Sequence, residues 1–110
     1  MSMFDDKTTI QELKNFVRAF QMERGWLESQ KPRNLAISIC LEAAELLELF
    51  QWNDNNDEES LKKANIYQNL KDELADVLIY CLSMASSMNI DVSEIIAQKM
   101  DKNAIKYPVK

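Results

Sequence analysis

The chain has 110 residues, 46% of them hydrophobic, which is enough for one domain (1–110) with a small core. Its net charge of −5 argues against sequence-independent binding to a nucleic-acid polymer. The absence of any histidine excludes a Ser-His-Asp triad, a His-liganded zinc site and a Glu-x-x-His di-iron motif, leaving carboxylates, Lys, Arg, Tyr and an oxygen-preferring metal.

One Gly and two Pro among abundant Leu, Ala, Glu and Lys predict an all-α chain, because strands would need turn residues that are missing. The opening stretch MSMFDDKTTIQ has neither a basic n-region nor an apolar h-region. No charge-free run is long enough to span a bilayer, so no membrane partner and a cytoplasmic location are expected.

A first helix opens at Thr9, where TIQE is a capping box closed by Glu12. Leu13, Phe16, Val17 and Phe20 give it one apolar stripe as far as about Arg24. The loop GWLESQKPRN follows. A second helix is predicted from about Asn34 to Trp52, and the polar linker NDNNDEES ends it. The third spans about Leu61 to Met88 and stops at the turn MNID. Asp91 caps a fourth, with Glu94 at the capping-box position, and this helix runs to about Lys106 before Pro108. Cys40 and Cys81 fall mid-helix among apolar residues and are expected to be reduced core thiols.

The second and third helices carry an anomaly. EAAELLELFQW sets Glu42, Glu45 and Glu48 three apart within an apolar run, and DELADVLIY repeats the pattern with Glu73 and Asp76. At about 100° per residue, apolar side chains cover most of both helices. Ser38, Glu42 and Glu45 share the narrow polar arc of one, and Asn69, Glu73, Asp76, Tyr80 and Ser83 that of the other. A helix apolar nearly all round is a buried helix, so these acids should face something other than bulk water. Packed side by side, the two arcs would bring four carboxylates together, and a divalent cation would relieve their repulsion. All-oxygen ligation selects Mg²⁺, with Mn²⁺ as a substitute. The alternative is that the arcs are ordinary solvated faces.

Mg²⁺ most often serves phosphate chemistry. On the fourth helix Lys99, Asn103 and Lys106 recur on one face and could hold a triphosphate, although a solvated basic face near a helix C-terminus is the equal alternative. Trp26 and Trp52 sit at helix or loop edges, where they could stack on a base or simply pack.

The stretches ERGW, QKPRNLAISICLEAAELLELFQW, KDELADVLIY and KMDKNAIKYP resemble the MazG-type all-α nucleotide pyrophosphohydrolases, most of all their dCTP pyrophosphatase branch, across roughly residues 12–108. The resemblance implies a four-to-five-helix bundle assembled as a dimer or dimer of dimers. It implies Mg²⁺-dependent hydrolysis of a nucleoside triphosphate, dCTP or a modified dCTP, to the monophosphate and pyrophosphate, with nucleotide pool sanitation or signalling as the role left open. Carried over by position, Glu42, Glu45, Glu73 and Asp76 would be the metal ligands, with Glu42 or Glu45 as the proton acceptor. Lys99, Asn103, Lys106 and Tyr107 would hold the phosphates across a subunit boundary. Trp26, Trp52 and Tyr80 would line the base and sugar pocket, with Arg33 and Asn34 at its mouth.

One departure stands out. Val17 occupies the position where the branch places a histidine at the base pocket, so pyrimidine deoxynucleotides with dCTP first are expected, with weaker discrimination than in the branch's best-defined members. The alternatives within this reading are a superfamily member acting on dUTP or another nucleotide, and a non-catalytic nucleotide-binding module.

Overall fold

The structure, a computed structural model, describes residues 2–110. Five α-helices follow one another: α1 (Ile10–Glu23), α2 (Pro32–Glu48), α3 (Glu58–Lys63), α4 (Tyr67–Ser87) and α5 (Val92–Lys106). A short 3₁₀ turn, Leu27–Ser29, links α1 to α2, and no strand occurs among the described residues.

The helix starts follow their caps. Thr9 Oγ1 accepts from the Glu12 amide at 3.0 Å and Glu12 Oε1 accepts from the Thr9 amide at 3.1 Å, which closes the expected capping box. Asp91 caps α5 through the Glu94 amide at 2.8 Å. The Glu94 side chain turns along the helix to Gln98 rather than back to the cap.

The ends of α1, α3 and α4 share one device. Gly25, Asn65 and Asn89 lie in the left-handed region, at φ 68°, 61° and 55°. Each is followed by an amide that reaches five residues back: Trp26 to Gln21, Ile66 to Leu61 and Ile90 to Ala85. All three accepting residues are buried, so the chain reverses directly over the core. Glycine and asparagine are the residues that enter this region at least cost.

Three expected boundaries are corrected. Asn65 divides the predicted third helix into α3 and α4, and α3 begins inside the acidic linker, because Asp57 Oδ1 caps the Ser60 amide at 2.7 Å. Helix α2 starts at Pro32 rather than Asn34, since proline at the first position has its φ preset and needs no donor. It ends at Glu48 rather than Trp52. There the Leu49, Phe50 and Gln51 amides tighten onto carbonyls three residues back, and Asn53 Nδ2 closes the turn on Leu49 O at 2.7 Å.

Helices α2 and α4 pack along one another and α1 lies across α4, around a core that includes Leu35, Leu61 and Ala85. Helix α5 makes no broad contact with any of them. The radius of gyration is 16.5 Å, against about 13 Å for a compact chain of this length. Many apolar side chains therefore stay uncovered: Leu41 and Leu47 on α2, Leu74 and Leu78 on α4, Ile96, Met100 and Ile105 on α5. Cys40 and Cys81 are exposed on the same faces, which corrects their assignment to the core. No helix among the described residues is long and apolar enough to cross a membrane.

Candidate metal and nucleotide site

The α2–α4 contact brings the two acidic arcs together. Glu42, Glu45, Glu73 and Asp76 each offer a carboxylate oxygen, and these four oxygens lie within 4.8 Å of one another. Glu45 is exposed and the other three are half-buried. Glu42 Oε2 and Glu73 Oε2 are sealed from solvent with no hydrogen-bond partner. The ion pairs among the described residues, Arg24–Glu23, Lys62–Glu58 and Lys63–Glu59, involve none of the four.

Burial pushes the Glu42 carboxyl above its ordinary pKa, and the close approach of the Glu45 carboxyl together with the charges of Glu45, Asp76 and Glu73 push it further. Burial likewise raises Glu73, followed by the close approach and charge of Glu45, then by the charges of Asp76 and Asp72. A half-buried all-oxygen cluster with orphaned acceptors and no balancing cation fits a hard divalent ion such as Mg²⁺.

A pH prediction follows from those shifts. Glu42 and Glu73 bind protons more tightly in the folded chain than in the unfolded one, so the metal-free fold loses stability as pH rises above the ordinary glutamate value of 4.5. Asp57 and Glu58 shift the opposite way, and their contribution is lost only below their ordinary values. In chelator, the melting temperature followed by circular dichroism should climb as pH is lowered from about 7 toward about 5. Millimolar Mg²⁺ should raise the pH 7 value by several degrees and flatten that slope. A melt insensitive to Mg²⁺ would mean that the arcs are solvated faces.

Beside the acids lies a cavity of about 360 Å³, walled by Phe16, Val17 and Phe20 of α1, by Trp26, and by Asp76, Ile79 and Tyr80 of α4. A second hollow of about 410 Å³ joins Trp26, Asn34, Ser38 and Tyr80. Trp26 and Tyr80 border both, and Phe20 meets the Trp26 ring edge-on at 5.7 Å. Asn34 is tied to Ser29 O at 3.2 Å.

The remaining expected substrate residues are not gathered here within one chain. Arg33 is exposed and borders neither space. Trp52 is 88% exposed beyond the end of α2. Lys99, Asn103, Lys106 and Tyr107 lie along α5 and its C-cap and border neither cavity. The Lys106 ammonium rests 5.3 Å from the centre of the Tyr107 ring and pairs with no acid.

Two cavity residues, Gln21 and Gln30, escaped the sequence reading. Gln21 carried a usable signal. It follows Val17 by one helical turn, so an amide stands on the apolar stripe of α1.

A family model described as "MazG-like family" matches residues 37–110. The mouse protein named dCTP pyrophosphatase 1 is 34% identical over 107 residues, covering 96% of this chain and 63% of the relative. Its human counterpart is 33% identical over 106 residues, covering 96% and 62%. The chain thus spans less than two thirds of the length of these curated relatives. A crystal structure of a pyrophosphatase from Archaeoglobus fulgidus superposes with a TM-score of 0.82 at 40% identity, covering 98% of this chain and all of that one.

Proposed function

Because the chain belongs to the MazG-like family, we propose that it hydrolyses a nucleoside triphosphate, dCTP or a modified dCTP, to the monophosphate and pyrophosphate. The observation that carries this reading is the adjacency of two chemistries. Asp76 belongs at once to the four-acid cluster and to the wall of the aromatic cavity, so a nucleotide with its base in the cavity extends its phosphates toward the acids.

Glu42, Glu45, Glu73 and Asp76 would hold the cation. Mg²⁺ there supplies neutralisation of the triphosphate oxygens and acidification of water. The chain's own groups do the rest. Trp26 and Tyr80 offer flat faces for the base, and Asn34 borders the adjoining hollow where the sugar would lie. Glu45, the one exposed acid of the cluster, can take the proton of a water attacking the α-phosphorus in line, with Glu42 as the neighbouring acceptor. Lys99 and Lys106 stabilise the departing pyrophosphate, aided by Asn103 and Tyr107.

Since α5 and Trp52 stand away from the cavity of their own chain, the proposal places them at the site of a second copy. The uncovered apolar faces of α2, α4 and α5 support such a dimer or tetramer, because soluble chains bury patches of that extent. Arg33 would then meet the phosphates at the mouth.

The test is a panel of dCTP, 5-methyl-dCTP, dUTP, dTTP, dATP and dGTP with Mg²⁺, scored for pyrophosphate against orthophosphate. Pyrophosphate is expected, with dCTP and its 5-substituted form about tenfold or more ahead of the purines. Equal turnover of dATP or dGTP would remove the dCTP branch and keep the chemistry. Release of orthophosphate, or of nothing, would remove the chemistry as well.

A further inference from the structure

We infer that Gln21 selects the base, by accepting a hydrogen bond from an exocyclic amino group. The inference rests on the nucleotide reading above and adds the chemistry of the base edge.

Gln21 is only 6% exposed, and its Nε2 donates to Ser83 Oγ at 2.8 Å. Ser83, 3% exposed, donates its single hydroxyl proton to Ile79 O at 2.9 Å. The serine therefore meets Gln21 with a lone pair, and only the amino side of the amide can face it. A backbone carbonyl of α4 thus decides which way the amide lies, a choice otherwise ambiguous for glutamine. The backbone of Gln21 is held too, since its carbonyl accepts the Trp26 amide at 2.9 Å.

What remains is Gln21 Oε1. It accepts no hydrogen bond among the described residues and is not one of the sealed orphan atoms, in contrast to Gln30 Oε1. Its side chain borders the 360 Å³ cavity among Phe20, Trp26 and Tyr80. A base entering this largely apolar cavity displaces water from that fixed acceptor and must bring a donor in its place. The amino group of cytosine supplies one, whereas the 4-keto oxygen of uracil or thymine would set lone pair against lone pair. Stacking on Trp26 or Tyr80 cannot make that distinction, because every base has a face. Val17, one turn earlier on the same stripe, cannot make it either, and the free amide oxygen of Gln21 does what that valine cannot.

The experiment is the ratio of kcat/KM for dCTP to that for dUTP. The wild-type ratio should be about tenfold to a hundredfold, the size of a site left with an unpaired polar group. Gln21→Met keeps the volume and removes the acceptor. It should lower the dCTP value by the same factor and leave dUTP within about threefold, bringing the ratio near one. A wild-type ratio near one, or an equal loss on both substrates, overturns the inference and leaves Gln21 as a packing residue.

Should Gln21→Met fail to fold, Gln21→Asn decides, because it keeps the amide and withdraws it by one methylene. A ratio kept at the wild-type value in that variant also overturns the inference. Failure of the hydrolysis reading is separable. If no triphosphate is cleaved, titrations of dCMP and dUMP followed by tryptophan fluorescence still test Gln21. About tenfold tighter binding of dCMP, lost in the variant, supports the inference, and equal dissociation constants reject it.

Discussion

Glu45→Gln and Asp76→Asn should each lower pyrophosphate release by about a thousandfold or more, while the far-ultraviolet helical signal should stay that of the parent. The size follows from the several kcal/mol of charge stabilisation that a divalent ion supplies to phosphate chemistry, since about 4 kcal/mol is roughly a thousandfold in rate. Each change removes ligand charge and almost no volume. The thermal signature separates a lost ligand from a damaged fold. The metal-free variants should melt no lower than the parent, because one of four mutually repelling carboxylates has become neutral. The stabilisation by Mg²⁺, however, should shrink or vanish. Activity within a few-fold of the parent in both variants would remove the acids from the metal.

The second large effect is on assembly. Light scattering at micromolar concentration should report at least twice the 12.8 kDa of one chain. Leu78→Asp on α4 and Ile96→Asp on α5 replace exposed apolar side chains with charges that only a covered surface would notice. In an isolated chain each change should be nearly silent. If these faces meet a second copy, each buries an unpaired carboxylate at a cost of about 3 kcal/mol, weakening association more than a hundredfold. The double variant should elute as a monomer and lose activity with its partner's α5. A parent that already scatters as one chain would contradict the proposed assembly and separate Lys99 and Lys106 from the acids.

The parts of this fold that were legible in the sequence are those governed by short-range chemistry. The Thr9 and Asp91 caps follow from hydrogen bonds three residues long, and both appear where expected. The pairing of Glu42 and Glu45 with Glu73 and Asp76 was legible because two narrow polar arcs on otherwise apolar helices have few ways to pack. The break at Asn65 was not, because leucine and lysine periodicity runs straight through it and a single left-handed residue decides the matter. The exposure of Cys40 and Cys81 was hidden for a different reason. An apolar helical face shows that something covers it, and does not show whether the cover is the same chain. Gln21 escaped because its value lies in a contact across 62 residues with Ser83 and in the orientation which that serine imposes.

The detached position of α5 bears on the order in which the molecule can form. Within one chain this 15-residue helix has its Asp91 cap and little else to hold it. An isolated helix of that length is marginal in water. If α5 docks on a second copy as proposed, refolding would have two stages of different molecularity: a first-order step that joins α1, α2 and α4, and a second-order step in which α5 becomes ordered against another chain. Amides in the middle of α4 would be protected from solvent hydrogen exchange as soon as the first stage ends. Those of α5 would gain protection only at a rate that rises with protein concentration, and in the proposed assembly the last helix of each chain would be completed by its neighbour.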